Sequence, residues 1–269
     1  MGSGIAQVSA MTGHRTIVRE VDQALVDRGL GRIEEFLTAG VTRGKTSAEE
    51  KERALANLSG TTRLDEFADC DFVLEAIVEN VDAKREVFEA LEGVVGPDAV
   101  FASNTSSLCI TELAAATKRS DRFVGMHFFS PVPVMGLVEV IRGLATSDAT
   151  YERAFDLGKS LGKEPVTAPD RPGFIANRLL IPYLLDAVRA YESGVGTLED
   201  IDKTMTMGCG HPMGPFTLLD FIGLDTTYYI ANIMHDEFRD PTYAPPPLLK
   251  RMVLAGRLGR KSGRGFYAY

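Results

Sequence analysis

Met1-Gly2-Ser3-Gly4-Ile5-Ala6 opens the chain, a helical pattern runs from Ile5 to Thr12, and Gly13-His14 leads into an extended run from Arg15 to Glu20. Glycines ahead of a helix, then a strand ending in an acid, form the second half of a dinucleotide-binding βαβ unit. In such a unit the helix N-terminus faces the pyrophosphate, and the acidic residue accepts from the ribose. Gly2 takes the place of the last glycine, where helix and strand pack closely, and Glu20 that of the ribose acceptor. The first strand and first two glycines of the unit would precede Met1 and are absent from this chain. An upstream segment holding them is therefore expected; the competing reading is a flexible Gly-Ser-Gly end. That strand is central in the usual order, so its absence strips hydrogen-bond partners from a neighbour on each side. A carboxylate at Glu20 repels a 2′-phosphate and favours NAD over NADP, while Arg19 pulls the other way.

Onward from Glu20, short β-rich runs alternate with amphipathic helical patterns, the mark of a parallel sheet covered on both faces. The further strands are Phe72–Ile77, Ala99–Ser103, Phe123–Phe128, Leu137–Ile141 and Glu164–Thr167. Helical patterns occupy Asp22–Thr38, Ser47–Leu58, Val81–Leu91 and Ala149–Leu161. From Asp170 the strand signal ends, and Arg178–Tyr191, Leu198–Met207, Phe216–Phe238 and Pro247–Ala255 all read as helices. The expected architecture is an α/β Rossmann-like doubly wound sheet over residues 1–169, lacking its first strand, followed by an all-α domain over 170–269.

The 269 residues exceed what one core usually serves. Lys and Arg number 29 against 37 Asp and Glu, a formal net charge of −8, which argues against nucleic acid as the main partner. Cys70, Cys109 and Cys209 lack metal-ligand spacing and read as reduced thiols, so neither zinc nor disulfides are expected. No signal-peptide layout or membrane-length apolar run is present, and a cytoplasmic location is expected.

The chemistry concentrates in three stretches. Ser103-Asn104-Thr105-Ser106-Ser107 and Gly125-Met126-His127-Phe128-Phe129 flank strand ends, and Glu139 lies within Leu137-Val138-Glu139-Val140-Ile141. An unpaired polar group in such apolar surroundings costs roughly 2–7 kcal/mol, so each needs a partner or a task. A general-base histidine needs an acceptor that keeps one ring nitrogen protonated. The turn-forming Ser130-Pro131-Val132-Pro133-Val134 lets the strand before it fold back, bringing Glu139 within reach of His127. By itself such a pair also suits a satisfied core histidine and a strand-edge charge.

Taken in order, these pieces resemble the L-3-hydroxyacyl-CoA dehydrogenase family, and within it most closely the short bacterial 3-hydroxybutyryl-CoA dehydrogenases. The resemblance spans essentially the whole chain. Further motifs that carry it are Glu75 through Asn80, His127 through Met135, Pro172 through Arg178, His211 through Phe216, Gly223 through Thr227 and Gly259 through Tyr267. It implies oxidation of an (S)-3-hydroxyacyl-CoA to the 3-ketoacyl-CoA with NAD as cofactor, within fatty acid metabolism. It also implies that His127 is the base, that Glu139 orients it, and that Ser106 and Asn177 hydrogen-bond the substrate oxygen. Glu79, Lys84, Ser106, Ser130 and Lys261 would line the cofactor beside Gly2 and Glu20, and Lys45, with Arg43 nearby, would meet the CoA phosphates. Lys45 equally suits a solvated loop. Where the family usually has Asn, this chain has Ser130, a shorter side chain that implies a modestly altered cofactor fit. A homodimer through the helical domain is implied as well, although Phe216–Phe238 also suits a core helix. The alternative function is a truncated, NAD-deficient homologue that binds acyl-CoA or modulates dimers.

Overall fold

In a computed structural model of all 269 residues the chain divides into two units, Met1–Asp170 and Arg171–Tyr269. The first unit begins with α1 (Gly2–Met11), β1 (Thr16–Arg19), α2 (Gln23–Thr42), α3 (Ala48–Ala56) and β2 (Leu58–Thr61). It continues through β3 (Phe72–Glu75), α4 (Val81–Glu92), β4 (Val100–Ser103), α5 (Ile110–Ala114), β5 (Phe123–Phe128), β6 (Leu137–Arg142), α6 (Asp148–Ser160) and β7 (Glu164–Pro169). Helix starts follow the local chemistry: Asp22, Ser47, Asn80 and Ser147 each accept a backbone N–H with the side chain, and Ser47 with Glu50 closes a capping box.

The strands form two sheets. β1 and β2 pair in parallel, and β3 to β7 form a five-stranded sheet in sequence order. Within the larger sheet β5 and β6 run antiparallel, the fold-back expected from the turn after Phe129, and every other pair is parallel as the alternation of strands and helices implied. The reversal follows from the short Ser130–Gly136 turn, since a parallel partner would need a crossover of a dozen or more residues. Between β1 and β3 lies a cavity of about 750 Å³.

Both faces of the larger sheet are covered, which is why β4 and β5 are buried at every residue. Phe101 and Phe123 pack against Phe88 of α4 on one face, the first tilted and the second edge-on. Val124, Met126 and Val140 on the other face share a cluster with Ile5 of α1 and Ala154 of α6. β2 departs from the sequence reading, which ran a helix to Leu58. Gly60 explains it: a Cβ there would lie 2.4 Å from Val26 Cγ1, so only glycine lets α2 pack on this strand.

The second unit contains α7 (Ala176–Glu192), α8 (Leu198–Lys203), α9 (Pro215–Ile222), α10 (Leu224–Phe238) and α11 (Pro247–Leu254) around a core that includes Leu184, Val188, Phe216, Leu219 and Met234. The single helix expected over Phe216–Phe238 is two helices, broken at Gly223, whose φ of 105° no helix accommodates. The pattern Leu198–Met207 likewise stops being α-helical at Lys203 and continues as a short π-helix over Thr204–Gly208. Asp202 supplies the cap that α9 lacks: its carboxylate accepts from the N–H groups of Phe216 and Thr217 at 2.8 and 3.0 Å.

Candidate active site

His127 and Glu139 face each other directly across the β5–β6 ladder, which brings their side chains together without any long loop. Nδ1 of His127 lies 2.7 Å from Oε2 of Glu139, and the residues are only 5% and 1% exposed. A carboxylate accepts, so the imidazole donates from Nδ1, and Nε2 is the ring nitrogen left to meet a substrate. The turn behind the pair is pinned from the residue just before β7: Lys163 Nζ donates to the carbonyls of Val132 and Met135 at 2.6 and 2.9 Å. Burial holds the Lys163 ammonium below its usual pKa.

The loop after β4 is built around two carboxylates. Glu79 Oε1 accepts from the N–H groups of Ser106 and Ser107 at 2.8 and 3.1 Å and from the Thr105 and Ser107 hydroxyls. Asn104 accepts from the N–H of Phe128 at 2.9 Å, so the loop leaves β4 beside His127. Lys84, 1% exposed on α4, sits between Glu79 Oε2 at 3.3 Å and Glu75 Oε1 at 2.6 Å. Glu75 also accepts from Ser103 Oγ at 2.7 Å and from the N–H of Ile77 at 2.6 Å. The sequence reading included Glu79, Lys84 and Ser106 but gave Glu75 and Asn104 no role. Their signal was present, since each is a polar residue at the end of an apolar strand. Asp170 was missed too: its carboxylate accepts from the N–H groups of Ile110 and Thr111 at 2.7 and 2.8 Å, fixing the start of α5.

Other expected residues fall in separate places. Gly2 and Glu20 line the cavity between β1 and β3 together with Ile77. Ser130 is exposed in the β5–β6 turn, and Arg43 and Lys45 are exposed after α2. Asn177 lies in the first turn of α7 and Lys261 in the C-terminal tail, both in the second unit, where Lys261 Nζ pairs with Asp225 at 2.6 Å. The first unit's residues suit a dinucleotide. α1 begins with no side-chain cap and no acid in its first turn, so its N–H groups favour an anion, and Glu20 at the end of β1 offers a ribose acceptor.

Comparison with known proteins gives the arrangement its context. Residues 1–171 match the family model described as the 3-hydroxyacyl-CoA dehydrogenase NAD binding domain, and residues 173–269 match the C-terminal domain of the same family. The chain belongs to the 3-hydroxyacyl-CoA dehydrogenase family. It is 51% identical to the 3-hydroxybutyryl-CoA dehydrogenase of Mycobacterium tuberculosis strain H37Rv, an alignment covering all of this chain and 95% of that protein. The human mitochondrial hydroxyacyl-coenzyme A dehydrogenase is 45% identical, with 100% and 88% covered. Among solved structures, the (S)-3-hydroxybutyryl-CoA dehydrogenase PaaH1 of Ralstonia eutropha superposes with a TM-score of 0.97 at 45% identity, covering 100% of this chain and 95% of that one. The Rossmann-like unit followed by a helical unit is thus the family fold, and NAD is the cofactor of its first domain.

Proposed function

We propose that the chain oxidises (S)-3-hydroxyacyl-CoA thioesters, foremost 3-hydroxybutyryl-CoA, to 3-ketoacyl-CoA, with His127 as the base. The observation that carries this reading is the buried His127–Glu139 pair at 2.7 Å beside the Ser103–Ser107 loop. NAD, when bound, supplies the acceptor for the hydride that leaves C3 of the substrate. His127 Nε2 takes the hydroxyl proton as the carbonyl forms, and Glu139 holds the ring's orientation and stabilises the imidazolium. A base so placed contributes about 10²–10⁴ in rate. Ser106 and Asn177 act as donors to the substrate oxygen, and Glu79, Lys84, Ser130 and Lys261 serve the cofactor with Gly2 and Glu20. Lys45 serves the CoA phosphates. We assign homodimerisation to the helical unit and the location to the cytoplasm; no helix is long and apolar enough to cross a membrane.

The divided sheet favours one other reading, an acyl-CoA-binding homologue that turns nothing over. NADH consumption with acetoacetyl-CoA separates the two, run on the 269-residue chain and on a version extended upstream by a strand and G-x-G. Turnover in either form, reduced about 10²–10⁴-fold in His127→Gln and in Glu139→Gln with the circular dichroism spectrum unchanged, is the expected result. Undiminished turnover in the His127 variant would remove the base from the mechanism. No turnover in either form would leave the binding reading.

A further inference from the structure

Asn104 directly follows β4, and only half of its side chain is committed. Its backbone N–H donates to the Glu75 carbonyl at 2.8 Å, and its Oδ1 accepts from the N–H of Phe128 at 2.9 Å. The second bond fixes which way the amide faces, because the reverse orientation would set two donors against each other. Nδ2 is left with two hydrogens to give, and no residue of the chain accepts them. The side chain is nonetheless not sealed off: the buried atoms without a partner are Arg85 Nε, Arg178 Nη1 and Asp225 Oδ1, whereas Asn104, 9% exposed, keeps Nδ2 open to solvent.

The other donors of this loop are already taken. The N–H groups of Ser106 and Ser107 and the hydroxyls of Thr105 and Ser107 converge on Glu79 Oε1. The Ser103 hydroxyl donates to Glu75, and the N–H of Leu108 donates to Thr105. The Ser106 hydroxyl is assigned to the substrate oxygen. What remains for a second ligand at this strand end is Asn104 Nδ2.

The oxidation proposed above, on which this inference rests, decides what that ligand is. His127 takes the proton of the hydroxyl on the same carbon that gives up the hydride, so the accepting nicotinamide carbon must come within about 3–3.5 Å of it. The carboxamide sits on the neighbouring ring carbon, and its oxygen is an acceptor that needs a donor once the ring is covered. Ligands of open α/β sheets lie at the carboxyl ends of the strands, which is where Asn104 stands, bonded to the residue after His127. We propose that Asn104 binds the nicotinamide end of the cofactor, with Nδ2 donating to the carboxamide oxygen. One side chain thereby ties the cofactor's reacting ring to the strand that carries the base.

Asn104→Asp separates the two halves of the side chain, since a carboxylate still accepts from the Phe128 N–H but has nothing to donate. NADH and ADP-ribose, which lacks the nicotinamide, are titrated calorimetrically into the intact 269-residue protein and into this variant. The variant should bind NADH about tenfold or more weakly, with its ADP-ribose affinity and the exchange rate of the Phe128 amide unchanged. In the parent protein the Asn104 side-chain amide resonances should shift with NADH and stay in place with ADP-ribose, a reading that needs no variant to fold. Equal NADH affinity in parent and variant, an equal loss for ADP-ribose, or amide resonances that NADH leaves unmoved each overturn the assignment. A variant that loses affinity for acetoacetyl-CoA instead also overturns it, because the donor would then serve the thioester. A parent that binds neither nucleotide removes the cofactor reading itself, and the assignment falls with it.

Discussion

Glu75 is the residue on which the Glu79 clamp rests. Lys84 is buried beneath the loop that carries Ser106, and Glu75 gives it a close counter-charge at 2.6 Å. That leaves one Glu79 oxygen to the loop while the other touches Lys84 at 3.3 Å. Glu75→Gln leaves a buried ammonium short of charge, a change that typically costs about 3–5 kcal/mol when one partner of a buried pair is removed. A urea midpoint falling accordingly, with much of the loss regained in Glu75→Gln/Lys84→Met, is the expected outcome. A single variant within about 0.5 kcal/mol of the parent would show that the pair carries no such weight. The sequence displayed Glu75 in a quoted motif but not its role, because a strand-end carboxylate does not announce which cation a later helix brings against it. The cysteines are a simpler case. Burial raises the thiol pKa of Cys70 and of Cys109, whereas Cys209 is exposed. Alkylation requires thiolate, so at neutral pH iodoacetamide should label Cys209 first, and peptide mass mapping that finds Cys70 or Cys109 labelled ahead of it contradicts this.

At the scale of elements, legibility followed burial and boundary. β5 spans Phe123–Phe128 as expected, because a run that is apolar apart from His127 is closed by a charged residue on one side and by Ser130-Pro131 on the other. β2 was illegible because Leu58-Ser59-Gly60-Thr61 lacks a strand's side-chain alternation and owes its place to α2 closing over Gly60. The break at Gly223 was hidden because apolar residues recur at helical spacing on both sides of it. The C-terminal tail shows the same dependence on contacts the sequence does not display. Asp220, 1% exposed on α9, accepts from the N–H groups of Phe266 and Tyr267 at 2.9 and 2.8 Å. A Cβ at Gly265 would lie 1.9 Å from Asp220 Oδ1. Gly265→Ala therefore cannot keep the tail on α9. Trypsin should cut after Lys261 or Arg264 several-fold faster in that variant, while α7 to α11 keep their helical signal; an unchanged cutting rate would mean that the tail is held elsewhere.

For the whole molecule, the order of elements and the passage from an α/β unit to a helical one were legible because each rests on periodicity, which needs no knowledge of partners. The strands fall into a two-stranded and a five-stranded sheet, and the boundary between them, at β1 and β3, lies where the sequence reading expected backbone short of hydrogen-bond partners. What no periodicity could show is how far the cofactor site depends on it. Gly2 and Glu20, the residues assigned to pyrophosphate and ribose, line the same cavity as the strand edges, at its Ile77 end. Amide exchange with and without NADH tests that dependence: if Gly2 and Glu20 hold the cofactor, saturating NADH should slow exchange at the start of α1 and in β1 several-fold, and unchanged exchange there would take both residues out of the cofactor site.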